Sequence, residues 1–181
     1  MRKLIAEAAL LLMVSALASA QNADYQPRGV GYVFAGGGTH SMGLTAGFGG
    51  EAYIAKGLGL GAEVAAGGLT TTDNYGQSNM TGLGSADVSY HFFPKKIQGN
   101  ASPFVAGGYT LFFGHNAVDR GKDVTTDGFN VGGGVDLFGA KHVGVRFDVR
   151  YYGHGGRILR FTYPNLAEFS FVAFRFGLTF R

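Results

Sequence analysis

Eight charged residues stand where the two-residue period of an extended chain would group them on shared faces: Glu51, Glu63, Asp87, Asp136, Arg146, Asp148, Arg150 and Arg175. The clearest group lies in Val143 to Tyr152, VGVRFDVRYY. There Arg146, Asp148 and Arg150 share one side of a strand, and Val143, Val145, Phe147, Val149 and Tyr151 share the other. Guanidinium and carboxylate groups in such rows can do one of two things. They can line a path for ions, or they can neutralise one another in a locked salt-bridge network.

Other chemistries find less support in the residues. The glycine runs Gly36-Gly37-Gly38 and Gly57-Leu58-Gly59-Leu60-Gly61 alternate within strand-like segments and lead into no helix, so they are not phosphate loops. His40, His91, His115, His142 and His154 are scattered without metal-ligand spacing, and no metal or cofactor is expected. With no Cys, thiolate sites, disulfides and a lipoprotein anchor are excluded. Asn79-Met80-Thr81 and Asn100-Ala101-Ser102 fit the N-glycosylation pattern, which matters only on a eukaryotic secretory route.

The elements that must position the charges begin after a leader. Arg2 and Lys3 precede an apolar run from about Ala8 to Leu17, and Ala18-Ser19-Ala20 is a small-x-small cleavage site, so residues 1–20 read as a secretory signal peptide. Residues 21–28 form a short N-terminal segment before one domain, 29–181. Without Arg2, Lys3 and Glu7, the 15 basic and 12 acidic residues become 13 and 11, a net charge of +2 that does not favour nucleic acid. No later apolar run approaches the ~20 residues of a membrane helix. Yet the chain is 46% hydrophobic and only 15% charged, below the ~25% of a typical soluble domain, so something besides water must cover its surface.

Alternation marks about eight strands. Gly29–Gly38 sets Val30, Tyr32 and Phe34 against Gly31, Val33, Ala35 and Gly37. Thr45–Ala55 and Leu58–Leu69 carry Glu51 and Glu63, each among glycines. Odd residues share the polar face on both, so facing pairs should have an even sum, which points to a three-residue turn at Lys56-Gly57-Leu58 and sets Glu51 opposite Glu63. Two facing carboxylates need a cation between them, so an Arg from a distant strand is expected to reach the pair. A fourth strand places Ser85, Asp87, Ser89 and His91 opposite Ala86, Val88, Tyr90 and Phe92. The fifth, Pro103–Phe113, is apolar on both faces and its orientation is not readable. Phe129–Phe138 opposes Asn130 and Asp136 to Val131 and Leu137, and the last strand ends FRFGLTFR. The intervening stretches Thr70–Asn79, Gly114–Gly128 and Gly153–Leu166 read as polar loops.

The same alternation would suit a soluble lipocalin-like barrel with its oily rows inside. The polar rows argue otherwise, since they are mostly Gly, Ala and Ser with few charges, whereas a water-facing surface is crowded with Lys and Glu. Small residues make room for a few long charged ones in a narrow lumen. Aromatics near strand ends, Tyr90, Phe92, Phe138 and Phe180 at one rim and Phe129, Tyr151, Phe169 and Phe171 at the other, match two interfacial girdles.

The exported start, the strand count and the closing FRFGLTFR resemble the small outer-membrane β-barrel family typified by the OmpA membrane domain and OmpX. The resemblance implies an all-β, antiparallel up-and-down transmembrane β-barrel of about eight strands in a Gram-negative outer membrane. Its partners would be outer-membrane lipid, lipopolysaccharide and the barrel assembly machinery, and it would be a monomer. Arg181 follows Phe180 where such chains usually end in Phe. The peptidoglycan-binding domain of full-length OmpA has no counterpart in these residues, so cell-wall anchoring is not expected. Two lipid A enzymes use barrels of this size, and the deacylase family carries His-x-Ser-Asn with a later acid. His154 and Glu168 could supply the His and the acid, but Gly156 stands where the nucleophilic Ser belongs, and without a hydroxyl there is no acyl acceptor. The expected function is therefore non-enzymatic, a surface role through loops around a lumen filled by the eight charges. A narrow solute channel, a lipid A enzyme and a soluble periplasmic binder are the alternatives.

Overall fold

The computed structural model describes residues 29–39, 42–55, 57–69, 79–92, 101–116, 122–139, 142–154 and 170–181. They form eight strands: β1 Gly29–Gly38, β2 Met42–Ala55, β3 Leu58–Leu69, β4 Asn79–His91, β5 Ala101–Asn116, β6 Lys122–Phe138, β7 Val143–His154 and β8 Phe171–Phe180. Each pairs antiparallel with the next, and β8 returns to β1 over Gly31↔Phe180 to Gly38↔Ala173, closing the barrel. Closure leaves no unpaired strand edge. An even strand number brings the start of β1 and the end of β8 to the same rim, here called the terminal rim.

The oily rows face outward. Phe176 is 51% exposed while its neighbour Arg175 is 4% exposed, and Val145, Phe147 and Val149 turn away from a lumen that contains Arg146 and Arg150. Strand β1 is the exception, because Val30, Tyr32 and Phe34 point inward and Val33 points out. Its other row is largely glycine and alanine, so the lumen receives aromatic surface from this strand.

Parity, which is strict in a strand, also overrides residue type at the rims. Tyr90, Phe92, Phe129, Tyr151 and Phe180 lie on the outer surface as a girdle requires, but Phe138 and Phe171 are buried inside. Phe138 lies two residues beyond Asp136, and Phe171 four before Arg175, so both share a row with a lumen charge. Phe169 lies outside the described residues. Strand β5 resolves with Ser102, Phe104, Ala106, Thr110 and Phe112 inward. The stretch read as the loop Gly114–Gly128 is largely strand, since Gly114–Asn116 and Lys122–Gly128 pair across β5 and β6.

The β2–β3 hairpin corrects another expectation. Ala55 pairs with Leu58, so only Lys56 and Gly57 intervene, and Gly57 takes φ 82°, the left-handed conformation that glycine adopts without strain. An irregularity between Tyr53 and Ala55 inserts the odd residue that restores even-sum pairing above the turn. The register is thereby shifted by two residues. Glu51 faces Gly61, and Glu63 faces Gly49, so the two carboxylates do not oppose one another.

Glycine opposite a large inward side chain recurs around the barrel: Asp148 faces Gly134, Arg150 faces Gly132 and Arg146 faces Gly177. A Cβ at Gly134 would come within 2.6 Å of the Asp148 Cβ and 2.8 Å of its Cα, where only backbone movement could relieve it. Gly134→Val should therefore lower the unfolding free energy by about 1–3 kcal/mol, read by urea titration of the folded barrel in detergent. Unchanged stability would show that the lumen has slack at this level.

Candidate functional site

All eight charged residues singled out above lie buried in the barrel interior. Three arginines organise them. Arg175 on β8 donates from Nε to Asp148 Oδ1 at 2.6 Å and from Nη2 to Asp148 Oδ2 at 2.9 Å, a two-pronged grip between neighbouring strands. Its remaining nitrogen, Nη1, crosses the lumen to Glu63 Oε1 on β3 at 2.7 Å. Arg150 reaches Asp87 at 2.5 Å and approaches Glu63 Oε2 at 3.5 Å, so Glu63 sits between two cations from β7 and β8. The distant arginine expected for a Glu51–Glu63 pair thus arrives, but at Glu63 alone.

Arg146 is held differently. Its guanidinium lies 4.3 Å from the Tyr32 ring centre and 4.1 Å from that of Phe104, between two aromatic faces. It is 3.4 Å from Asp148 and 3.5 Å from Asp136, and the Asp136 oxygens accept no hydrogen bond from any described group.

Glu51 belongs to a separate group at the terminal rim. His91, fully buried, places Nε2 2.7 Å from Glu51 Oε1 and Nδ1 3.0 Å from Ser102 Oγ, and Ser89 donates to the same Glu51 oxygen. The His91 ring stacks on Phe104 and meets Tyr53 edge-on. Serine, histidine and carboxylate in that order resemble a hydrolytic relay. However, Ser102 is 1% exposed, so no substrate reaches its hydroxyl in this arrangement.

Several members of the network escaped the reading of charge alone. Asn130 donates to Asp87 Oδ1 at 2.7 Å and to Thr110 at 2.9 Å, Thr110 meets Ser85 at 2.9 Å, and Tyr32 and Tyr152 donate to Glu63 at 3.2 and 3.0 Å. Their signal was positional: Ser89 and His91 follow Asp87, Tyr152 follows Arg150 and Asn130 precedes Asp136, each in the same inward row. Ser102 and Thr110 had no such signal, because they lie on β5.

Apolar clusters flank the polar band on both sides. Tyr32, Phe34, Ala65, Leu83, Phe112, Tyr152, Phe171 and Ala173 pack on the side away from the terminal rim, and Val30, Tyr53 and Phe138 pack near it. Among the described residues no group of three His, Cys, Asp or Glu side chains could hold a metal ion. His154 ends β7, and Gly156 and Glu168, considered above against the deacylase pattern, lie outside the described residues, as do Arg157 and Arg160.

In sequence the chain matches no family model and no curated protein. In structure it is similar to Neisserial surface protein A (NspA), with TM-score 0.64 and 13% identity over 86% of this chain and 99% of that one. It is likewise similar to the N-terminal β-barrel domain of Pseudomonas aeruginosa OprF, with TM-score 0.59 and 15% identity over 86% and 98% of the two chains. The fold is that of a small outer-membrane β-barrel. A third barrel of this kind, the attachment invasion locus protein Ail of Yersinia pestis in complex with the heparin analogue sucrose octasulfate, has TM-score 0.55 at 10% identity over 86% and 99%. At such identities the shared property is the barrel, and the lumen network is argued from this chain's own side chains.

Removing Arg175 would leave Glu63 and Asp148 short of their main partner. Arg175→Ala should cost about 3–5 kcal/mol in urea unfolding, the range for breaking a buried ion pair. Arg175→Lys should recover only part of this, since an ammonium cannot reproduce the fork. Wild-type stability for the alanine variant would refute the role given to this residue.

Proposed function

We propose that this chain is an integral outer-membrane β-barrel without enzymatic activity, acting as a surface protein through its extracellular loops, with a lumen filled by charged side chains and closed to solutes. The observation that carries the reading is the inversion of the barrel: bulky apolar rows cover its outside, and arginines and carboxylates pair across its inside. An eight-stranded barrel is just wide enough for side chains to fill its interior. Here two apolar clusters flank the polar band, leaving the chemistry of recognition to the loops. The structural neighbours include Neisserial surface protein A and the attachment invasion locus protein Ail, which supports loop-borne contact as the working role.

On this reading the outer wall meets lipid acyl chains and lipopolysaccharide. Assembly machinery handles the chain during insertion. Closure without a free edge suits a monomer.

The membrane reading is tested on the outer wall. Val149→Arg, at a lipid-facing site, should destabilise the barrel in bilayers by about 2–4 kcal/mol, as charge near the midplane does. A neutral effect would mean that water covers this face. The closed lumen is tested by planar-bilayer recording of the purified protein, which should show no stable large conductance. Steady openings would establish the channel alternative instead.

A further inference from the structure

On the outer wall, two rows of side chains cross the strands side by side. In the row nearer the terminal rim, Phe147 on β7 faces Phe176 on β8 with ring centres 5.0 Å apart, and Ala35 on β1 continues the row. The next row sets Val149 beside Phe174, with Gly133 of β6 before them and Gly37 of β1 after. Between the rows runs the backbone of Asp148 and Arg175, whose side chains turn inward to grip one another, so the wall is bare there. The result is a slot of about 380 Å³ that ends at Gly133 on one side and at Ala35 on the other. Phe147, Val149, Phe174 and Phe176, each about half exposed, form its walls. It lies between Tyr151 at one rim and the Val143–Phe180 pair at the other, at the middle of the wall.

We propose that this slot seats one acyl chain of a membrane phospholipid at a fixed place on the barrel. Its lining is mainly apolar, and its volume falls in the range of small-ligand sites, ~300–1,000 Å³. Width decides the occupant. The two rows stand two residues apart along the strands, ~7 Å between backbones, and the rings take up part of that distance. An α-helix with its side chains is ~10–12 Å across and does not enter, whereas a straight alkyl chain does. The slot is continuous with the apolar wall around it, so a chain reaches it without leaving hydrocarbon. From the Ala35 end, the outer row of β1 runs to the terminal rim through Val33, Gly31 and Gly29, with open space beside Gly31. This low track leads a chain in from the leaflet at that rim. The proposal rests on the lipid-facing reading of the wall and goes beyond it by naming one place where lipid is held.

The barrel is placed in bilayer discs of dimyristoylphosphatidylglycerol, and nuclear Overhauser contacts from acyl methylenes to phenylalanine ring protons are measured. Phe48 is the reference, since it is 62% exposed on β2 outside the slot and would show the strongest contacts if exposure alone decided. Phe174 and Phe176 should instead exceed it. Ala35→Leu, which fills one end of the slot, should remove that excess, and Ala62→Leu, at an exposed site on β3, should leave it unchanged. Contacts ranked by exposure, or an excess that survives Ala35→Leu, overturn the proposal while leaving the lipid-facing wall intact. Absence of acyl contacts at every ring of the wall would defeat the membrane reading itself, and the slot with it. Contacts from Phe174 or Phe176 to a differently labelled copy would give the slot to a second barrel, and an excess seen only after lipopolysaccharide is added to the discs would give it to that lipid. Either result rejects the phospholipid site.

Discussion

The grip of Arg175 on Asp148 and Glu63 shows the constraint on which the rest depends: ions withdrawn from water must be given to one another. One guanidinium ties adjacent strands β7 and β8 together and then crosses to β3, so a local pair and a transverse brace are the same side chain. Such pairing needs the strands close and their directions set, which closure of β1 onto β8 supplies. Backbone pairing satisfies the wall, and ionic pairing satisfies most of the interior, Asp136 being the exception. With both polar demands met from within, the outside is free to be apolar.

That division explains the composition. Glycine is abundant because long charged residues need empty positions beside them, as Gly134 is to Asp148 and Gly132 to Arg150. Charge is sparse because eight strands enclose little room. The aromatic residues fall into two populations: those outside, such as Phe147 and Phe176, and those inside, such as Tyr152 and Phe171, which stack on each other beside the ionic band, and Phe112, which meets both edge-on. The lumen is built in this order: apolar, ionic, then apolar.

Much of this was legible before any coordinates. Alternation located the strands, and the poverty of the polar rows marked them as lining a narrow lumen rather than a water-facing surface. The inward set of eight charges followed from parity. Parity also explains the errors, which arose where residue type was preferred to it: Phe138 and Phe171 were counted as rim aromatics although their rows contain Asp136 and Arg175. Strand β5 was opaque because both its faces are apolar. The stretch from Gly114 to Gly128 was read as a loop because its residues are polar, although much of it extends the β5–β6 ladder. The Glu51–Glu63 pairing failed for a different reason: a turn one residue shorter than expected and an extra residue near Tyr53 together changed the register by two without changing which residues point inward.

What the sequence determined alone is therefore which residues of a strand stand together on one side of the wall, because a two-residue period is local and belongs to the backbone. Which charges meet was decided only by the tertiary structure. Arg175 and Glu63 are separated by more than a hundred positions, and their contact depends on how many residues each turn and bulge consumes between them. Facing is a property of neighbours along the chain. Partnership is a property of the closed barrel, because a shift in any one hairpin changes what lies across the lumen.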